Sequence, residues 1–292
     1  MKAKNSAASI RARLKRHADR QRQDFDLTLT RFGLERLLYR LSISRHSGSF
    51  MLKGALLFML WYDTRGLGSA RPTRDLDLLG FGSDDTDSLA EVFRELCDIE
   101  VNDGLVFERT SVKAQEIRKD AGYGGVRVHL VARLDGARIT LQVDTGFGDV
   151  VTPAPETLLY PVLLEDLPAP RLRVYPKATA IAEKFQALCV LGMPNSRLKD
   201  YFDLWILLRE GLDAAELCSA INTTFARRNT PLPGDIPAGL SDDFAHAKQV
   251  QWRAFIARNK LDAAELTDVV AELRETFRRL GVIDFNARGR IL

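Results

Sequence analysis

The sequence has few cysteines and no long hydrophobic run. Its three cysteines, Cys97, Cys189 and Cys218, are far apart and lack the CxxC spacing or histidine neighbours of a zinc site. We expect them to be reduced core residues. No run of about 18 apolar residues is present, so no membrane-spanning helix is predicted. The basic N-terminal stretch is not followed by an apolar segment, which makes a cytoplasmic location the default expectation.

The composition is that of a globular protein. Of the 292 residues, 46% are hydrophobic and 28% are charged, which allows a full core and a division into two or three subdomains. The formal net charge of +3 is mildly basic. Such a charge favours a polyanionic ligand without establishing one.

Helical periodicity dominates both ends of the chain. Residues 1–48 predict a preface of N-terminal helices, the first of which has a basic face that either contacts RNA or is simply solvated. Residues 49–165 mix strand and helix patterns. The proline-rich segment from Thr152 to Pro176 is the candidate boundary to an all-helical domain over residues 166–292. Further helices are predicted over 88–96, 179–191, 197–209, 214–227, 242–258 and 263–280.

A predicted strand from Thr73 to Leu79 carries two carboxylates. Side chains alternate along a strand, so Thr73, Asp75 and Asp77 are expected on one face. Like charges at that distance repel each other, and a bound dication that both coordinate removes the repulsion. The alternative is an Asp-x-Asp pair on a solvated edge.

A third carboxylate follows from a predicted hairpin around Asp135-Gly136. Its second strand places Asp144 opposite the apolar face formed by Ile139, Leu141 and Val143. Three acids on neighbouring strands can hold two magnesium ions roughly 3.5–4 Å apart. The alternative for Asp144 is ordinary turn chemistry before a glycine-rich segment.

Two lysines and two further acids are candidate ligand contacts. Lys53 and Gly54 lie where a strand turns into a helix, so an ammonium and a backbone amide could bind phosphate there, although a surface lysine at a turn is the alternative. Lys184 falls on the inward arc of its helix and needs a buried acid or a ligand phosphate as partner, unless it snorkels to solvent. Helix capping would suffice to explain Asp200, whereas Asp203 lies deeper in an apolar helix.

Five segments of the chain form an ordered set of motifs. They are Met51-Leu52-Lys53-Gly54-Ala55, Arg71-Pro72-Thr73-Arg74-Asp75-Leu76-Asp77, Asp144-Thr145-Gly146-Phe147-Gly148-Asp149, Tyr175-Pro176-Lys177-Ala178-Thr179-Ala180-Ile181-Ala182-Glu183-Lys184 and Arg197-Leu198-Lys199-Asp200-Tyr201-Phe202-Asp203-Leu204. In this order they resemble the AbiEii/AbiGii nucleotidyltransferase toxins of type IV toxin–antitoxin and phage-defence pairs. The resemblance covers roughly residues 25 to 270.

The resemblance implies an α+β fold with a mixed-sheet core like that of DNA polymerase β. It also implies that Asp75 and Asp77 are metal ligands with Thr73 beside them in the donor site. Lys53 and Lys184 would hold phosphates, and Asp203 would complete the pocket across an interdomain cleft. The expected catalytic residues are Asp75, Asp77, Asp144, Lys184 and Asp203; the expected nucleotide contacts are Lys53, Gly54, Thr73, Lys184 and Asp200; the expected metal ligands are Asp75, Asp77 and Asp144.

The activity so implied is transfer of a nucleoside monophosphate from a nucleoside triphosphate to RNA, with the tRNA 3′ end as the expected acceptor. Two Mg²⁺ ions are expected as cofactors, with Mn²⁺ as a substitute, and an AbiEi-like antitoxin encoded alongside is the expected protein partner. One departure is Gly54-Ala55, where the wider superfamily has Gly-Ser or Gly-Gly. Two other functions stay open, namely nucleotidylation of a protein hydroxyl and a non-catalytic module that binds nucleotide or partner.

Overall fold

The computed structural model describes residues 6–63, 73–118 and 124–283. The chain divides into two compact units. The sheet unit consists of Met1–Gly148 and Glu156–Val174, and the helical unit consists of Asp149–Pro155 and Tyr175–Leu292. Along the chain, residues 149–155 therefore belong to the helical unit, residues 156–174 to the sheet unit, and the residues from 175 onwards to the helical unit again.

Within the described ranges, one mixed sheet of eight strands organises the sheet unit. The strands are β1 (Phe50–Lys53), β2 (Asp75–Gly80), β3 (Val106–Phe107), β4 (Lys113–Arg118), β5 (Gly124–Leu134), β6 (Ala137–Phe147), β7 (Glu156–Leu159) and β8 (Arg171–Val174). Their order is β3-β5-β6-β2-β1-β8-β7, with β4 pairing with β5 beside that path. The pairs β2–β6 and β1–β8 are parallel and the others antiparallel. The expected α+β fold with a mixed sheet is confirmed.

The described part of the sheet unit contains helices α1 (Ala7–Gln21), α2 (Phe25–Ile43), α3 (Ala55–Asp63) and α4 (Thr86–Cys97). Three of them begin after a side chain that accepts a backbone hydrogen bond, which satisfies an otherwise unpaired amide; these residues are Ser6, Asp24 and Asp85. Helix α2 packs on the apolar face of the sheet. A Cβ added to Gly33 would lie only 3.0 Å from the side chain of Leu141, so the glycine permits this close approach.

The predicted hairpin is confirmed, and its turn determines the register of β5 and β6. Asp135 and Gly136 both have positive φ, at 45° and 78°, as a two-residue turn of this kind requires. Leu134 therefore pairs with Ala137, and the ladder continues to Gly125 opposite Gly146.

The proline-rich segment is more ordered than its lack of periodicity suggested. It contains β7 and β8, which pair with each other, and β8 also pairs with β1 through Leu52 and Val174. Prolines such as Pro155 and Pro170 lie beside these strands and do not interrupt them. Strands of four residues are too short to show an alternation pattern, so the sequence provides no sign of them.

The described part of the helical unit contains α5 (Lys177–Leu191), α6 (Leu198–Leu208), α7 (Ala214–Arg227), α8 (Asp242–Asn259) and α9 (Leu266–Arg279). Each matches a predicted helix to within three residues at either end. Aromatic rings fill the core: Phe185 stacks on Phe277 at 3.9 Å between centroids, and Tyr201 stacks on Phe244 at 4.9 Å. None of the helices in the described ranges is long and apolar enough to span a membrane.

Candidate functional site

A row of charged residues crosses four neighbouring strands of the sheet. Lys53 of β1 pairs with Asp77 of β2, Asp77 with Asp144 of β6, and Asp144 with Arg127 of β5. Residues paired directly across strands point to the same face of a sheet. We call Lys53, Asp77, Asp144 and Arg127 the charged row. Its two carboxylates lie between two cations.

Asp75 joins the charged row from the start of β2. It lies two residues before Asp77 and therefore on the same face, while Leu76 between them is buried against the other face. Asp75 is exposed and Asp77 is half-buried. The alternation predicted for the two carboxylates is confirmed.

Thr73 lies just before β2 and outside the strand in which it was expected. The backbone N–H of Asp75 donates to its hydroxyl at 3.4 Å, so this side chain helps to order the first strand residue. Arg71 and Pro72, which belong to the same motif, lie outside the described residues.

Gly54 is required by the position of Asp77. Its φ is +71°, a conformation that favours glycine, and a Cβ at this position would lie 2.0 Å from Oδ2 of Asp77. The carboxylate thus lies directly against the backbone of Gly54. Helix α3 begins at the next residue, so its N-terminal amides follow immediately.

Arg127 binds both carboxylate oxygens of Asp144. Its Nε donates to Oδ1 and its Nη2 to Oδ2, both at 2.8 Å. The hydrogen bond to Asp144 raises the pKa of Arg127; burial opposes this shift, and the charges of Asp144, Asp75 and Asp77 add to it. The arginine is therefore the counter-ion of the whole acidic cluster.

Arg127 was not among the predicted site residues, although the hairpin turn contains the signal that identifies it. Leu134 and Ala137 pair across the two-residue turn. Seven residues back from Leu134 is Arg127, and seven residues forward from Ala137 is Asp144. Extending the predicted register along the hairpin therefore places the two opposite each other.

The acids fit the expected metal site only in part. Within the described ranges, no three His, Cys, Asp or Glu residues form a group that could hold a metal ion. Asp75 and Asp77 offer a neighbouring pair of hard oxygen ligands, which suits Mg²⁺ or Mn²⁺. Asp144 fits best as a third ligand when its carboxylate exchanges Arg127 for the ion, because the guanidinium places a positive charge next to both oxygens.

Lys184 in the helical unit has the acidic partners that its inward position required. Its Nζ lies 2.6 Å from Oδ1 of Asp200 and 2.9 Å from Oδ2 of Asp203. The lysine side chain is 14% exposed, and those of the two aspartates are 0% and 2% exposed. We call these three residues the lysine cluster, which joins α5 to α6.

Asp200 does more than the helix capping that would have explained it. Helix α6 has no side-chain cap at its start, and Nε of Arg197 binds the second oxygen of Asp200 at 2.7 Å. Burial alone would raise the pKa of Asp200, but the charges of Lys184 and Arg197 outweigh burial and lower it. The carboxylate therefore stays ionised in the interior.

A second polar network in the helical unit had no sequence signal. Arg228 donates to Asp149 at 3.1 Å and lies 3.4 Å from Glu183, which also accepts from the hydroxyl of Tyr175 at 3.3 Å. These side chains are mostly buried. Because Asp149 begins the first segment of the helical unit, Arg228 ties that segment to α5 and α7.

A family model described as nucleotidyl transferase AbiEii toxin of type IV toxin–antitoxin systems matches residues 36–279. The chain belongs to the AbiEii family. Membership confirms the resemblance seen in the five motifs, and both the charged row and the lysine cluster lie inside the matched range. AbiEii proteins are nucleotidyltransferase toxins, so the family implies a nucleoside triphosphate substrate and an antitoxin partner.

Two solved structures from Helicobacter pylori are similar to this AbiEii protein, each with 16% sequence identity. One is JHP933, with a TM-score of 0.44 over 85% of this chain and 88% of that chain. The other is described as a candidate nucleotidyltransferase, with a TM-score of 0.43 over 85% of this chain and 91% of that chain. No curated protein matches the chain.

Proposed function

We propose that this protein transfers a nucleoside monophosphate from a nucleoside triphosphate to RNA, with the tRNA 3′ end as the acceptor. The position of Asp77 is the observation that carries the proposal. Its carboxylate lies against the backbone of Gly54, next to Asp144 and two residues from Asp75. This arrangement brings ligands for a dication together with the phosphate-binding amides at the start of α3. Membership of the AbiEii family supports the reaction type.

In the proposed reaction, the terminal ribose hydroxyl of the RNA attacks the α-phosphorus of the donor. The new O–P bond forms as the bond to pyrophosphate breaks, and the hydroxyl proton passes to water. Asp75 and Asp77 would hold Mg²⁺, with Mn²⁺ as a substitute, and a second ion would involve Asp144. Such ions supply positive charge to the phosphates. Lys53 and the amide of Gly54 would bind the donor's phosphates, with Thr73 beside them.

Lys184 of the lysine cluster is proposed as a nucleotide contact. Lys184 would bind a phosphate oxygen, while Asp200 and Asp203 hold its ammonium in place at 2.6 and 2.9 Å. Charge-assisted contacts of this kind are the strong hydrogen bonds of a binding site. A phosphate must share the ammonium with two carboxylates, so Lys184 positions the donor more than it neutralises it.

The biological consequence would be growth arrest. A tRNA with an extra nucleotide at its 3′ end cannot be aminoacylated, and translation stops. We propose that this arrest serves abortive infection against phage, and that an AbiEi-like antitoxin encoded alongside the toxin opposes it.

The proposal is tested by expression in bacteria without an antitoxin. Wild type should arrest growth and lengthen tRNA 3′ ends, detected by sequencing. Asp77→Asn should neither arrest growth nor lengthen tRNA ends, because asparagine has the shape of aspartate but lacks the negative charge that binds a dication. Asp84→Ala is the matched control, since this acid is exposed beyond the end of β2. Arrested wild-type cells with unaltered tRNA ends would contradict the RNA acceptor.

Two other outcomes would point to the remaining functions. Labelled nucleotide that enters the antitoxin or another protein, and never RNA, would indicate transfer to a protein hydroxyl. Growth arrest that persists in both Asp75→Asn and Asp77→Asn would indicate a module that acts by binding alone.

A further inference from the structure

Asp144 has little capacity left for a metal ion while Arg127 is bound to it. Arg127 occupies both carboxylate oxygens at 2.8 Å, and the side-chain amide of Gln142 donates to Oδ1 at 3.4 Å. The guanidinium takes one lone pair on each oxygen and places its positive charge next to both, so a dication binds Asp144 weakly while Arg127 remains. Tight metal binding at Asp144 therefore favours the departure of Arg127.

The Arg127–Asp144 pair is more exposed than the interior ion pairs of the sheet unit. Arg40 and Asp103 form an interior pair whose side chains are 2% and 0% exposed, whereas the side chain of Arg127 is 33% exposed. Ten backbone register pairs already hold β5 to β6. A partly solvated arginine on a strand fixed by its backbone can change partners without disturbing the fold.

A triphosphate is a suitable alternative partner for Arg127. A guanidinium binds phosphate oxygens with the same two-pronged geometry that it uses for a carboxylate. The donor brings these oxygens to the charged row if Lys53 and Gly54 bind its phosphates. The negative charge of the triphosphate also takes the place of the Asp144 carboxylate as the partner of the guanidinium.

We propose that Arg127 is a positioning residue that occupies Asp144 until the donor nucleotide arrives, then transfers to the donor's phosphates and frees Asp144 for a dication. The inference rests on the proposed function, because it assumes a triphosphate donor and a first dication at Asp75 and Asp77. Nucleotide binding and completion of the metal site are then coupled through one side chain.

The first test is Mn²⁺ binding without nucleotide, followed by electron paramagnetic resonance. Arg127→Gln should bind Mn²⁺ at least about fivefold more tightly than wild type, because Asp144 is released. The double variant Arg127→Gln/Asp144→Asn should lose this gain. Arg133 lies on β5, as Arg127 does, and is paired with Glu108. Arg133→Gln, which removes this other cation, should leave the Mn²⁺ affinity unchanged.

The second test is binding of a nucleoside triphosphate at a Mn²⁺ concentration that saturates the site at Asp75 and Asp77 in every variant, followed by calorimetry. Arg127→Gln should bind about tenfold more weakly than wild type because a charge-assisted contact to phosphate is lost, and Arg127→Lys should lie between the two. Metal affinity and nucleotide affinity thus change in opposite directions. A purely structural role for Arg127 would lower both, and circular dichroism melting would show the loss of fold.

The outcomes separate this inference from the proposed function. If Asp77→Asn abolishes Mn²⁺ binding while Arg127→Gln stays within twofold of wild type, the role of Arg127 is wrong and the metal site stands. If Arg127→Gln binds Mn²⁺ more tightly and nucleotide more weakly, but tRNA ends are unaltered in cells, the role of Arg127 stands and the acceptor is wrong.

Discussion

At the scale of single residues, a substitution of Gly54 is a test of the site because it has two separate energetic costs, a steric collision and a strained backbone. Gly54→Ala places a methyl group 2.0 Å from Oδ2 of Asp77 and also forces alanine into a φ of +71°. The backbone conformation alone costs roughly 1–2 kcal/mol. The collision must additionally displace the Asp77 carboxylate, so we expect nucleotidyl transfer to fall at least about a hundredfold, as for a misplaced reacting group.

Gly211→Ala is the control that separates the two costs of Gly54→Ala. Gly211 has nearly the same φ, +72°, but a Cβ there meets nothing within 4 Å. Urea unfolding of Gly211→Ala should show the backbone cost alone, whereas Gly54→Ala should lose more stability because of the collision, and only Gly54→Ala should lose activity. Full activity in Gly54→Ala would mean that the position of Asp77 is not critical.

Residue-level prediction from sequence works where the information is local. Strand alternation was enough to place Asp75 and Asp77 on one face, and helical spacing was enough to turn Lys184 inward. Neither strand alternation nor helical spacing identifies the residues that a side chain contacts on its face of the element. The partners of Lys184 come from another helix, and Arg127 becomes visible only when the hairpin register is extended to Asp144.

At the scale of elements, the same distinction explains which parts of the fold were predicted. Helices α5 to α9 and the β5–β6 hairpin follow from periodicity and turn residues within one stretch of chain. The parallel pairs β2–β6 and β1–β8 join segments far apart in sequence, and no local pattern encodes their register. Strand β8 joins the sheet through its parallel pair with β1, and β7 pairs antiparallel with β8. Both strands are too short to show an alternation pattern in the sequence.

The lysine cluster makes a prediction at this scale, because Lys184 joins two helices and is also a proposed phosphate contact. Lys184→Met leaves Asp200 and Asp203 buried without their shared counter-ion, which should destabilise the fold by about 3–5 kcal/mol. Thermal unfolding would measure the loss. We expect Lys184→Met/Asp203→Asn to recover part of it because one buried charge is removed.

Arg258→Met, at an exposed position of α8, is the control for the lysine cluster. Its unfolding should match wild type within about 0.5 kcal/mol, as for an ordinary surface substitution. Activity lost in Lys184→Met and regained with stability in the double variant would indicate a structural role. If Asp203→Asn alone is active, activity that stays absent in the double variant while stability returns would indicate that Lys184 is a phosphate contact.

At the scale of the whole molecule, the stability of the sheet unit should depend on pH through Glu35. This side chain of α2 is 1% exposed, and its Oε2 accepts from the backbone N–H of Leu163 at 2.7 Å. Burial raises the pKa of Glu35 to about 7, against the opposing charge of Arg36 and the Leu163 hydrogen bond. The carboxyl therefore holds a proton in the folded chain at pH values where the unfolded chain has lost it.

The sign of the pH dependence follows from that difference in proton binding. Between the ordinary pKa of 4.5 and about 7, the folded state binds more protons, so the free energy of unfolding falls as pH rises through this window. The full loss, about 3 kcal/mol, is reached above pH 7. His17 contributes the opposite slope, because burial and the charges of Arg31 and Arg20 lower its pKa.

Glu35→Gln isolates the contribution of Glu35, since glutamine cannot ionise and its amide oxygen can still accept from Leu163. Urea unfolding of wild type and Glu35→Gln at pH 5 and pH 8 would measure it. The variant should lose less stability than wild type between the two pH values, and the contribution of His17 cancels because both proteins contain it. Equal losses in the two proteins would show that Glu35 is already ionised at pH 5, with the charge of Arg36 outweighing burial.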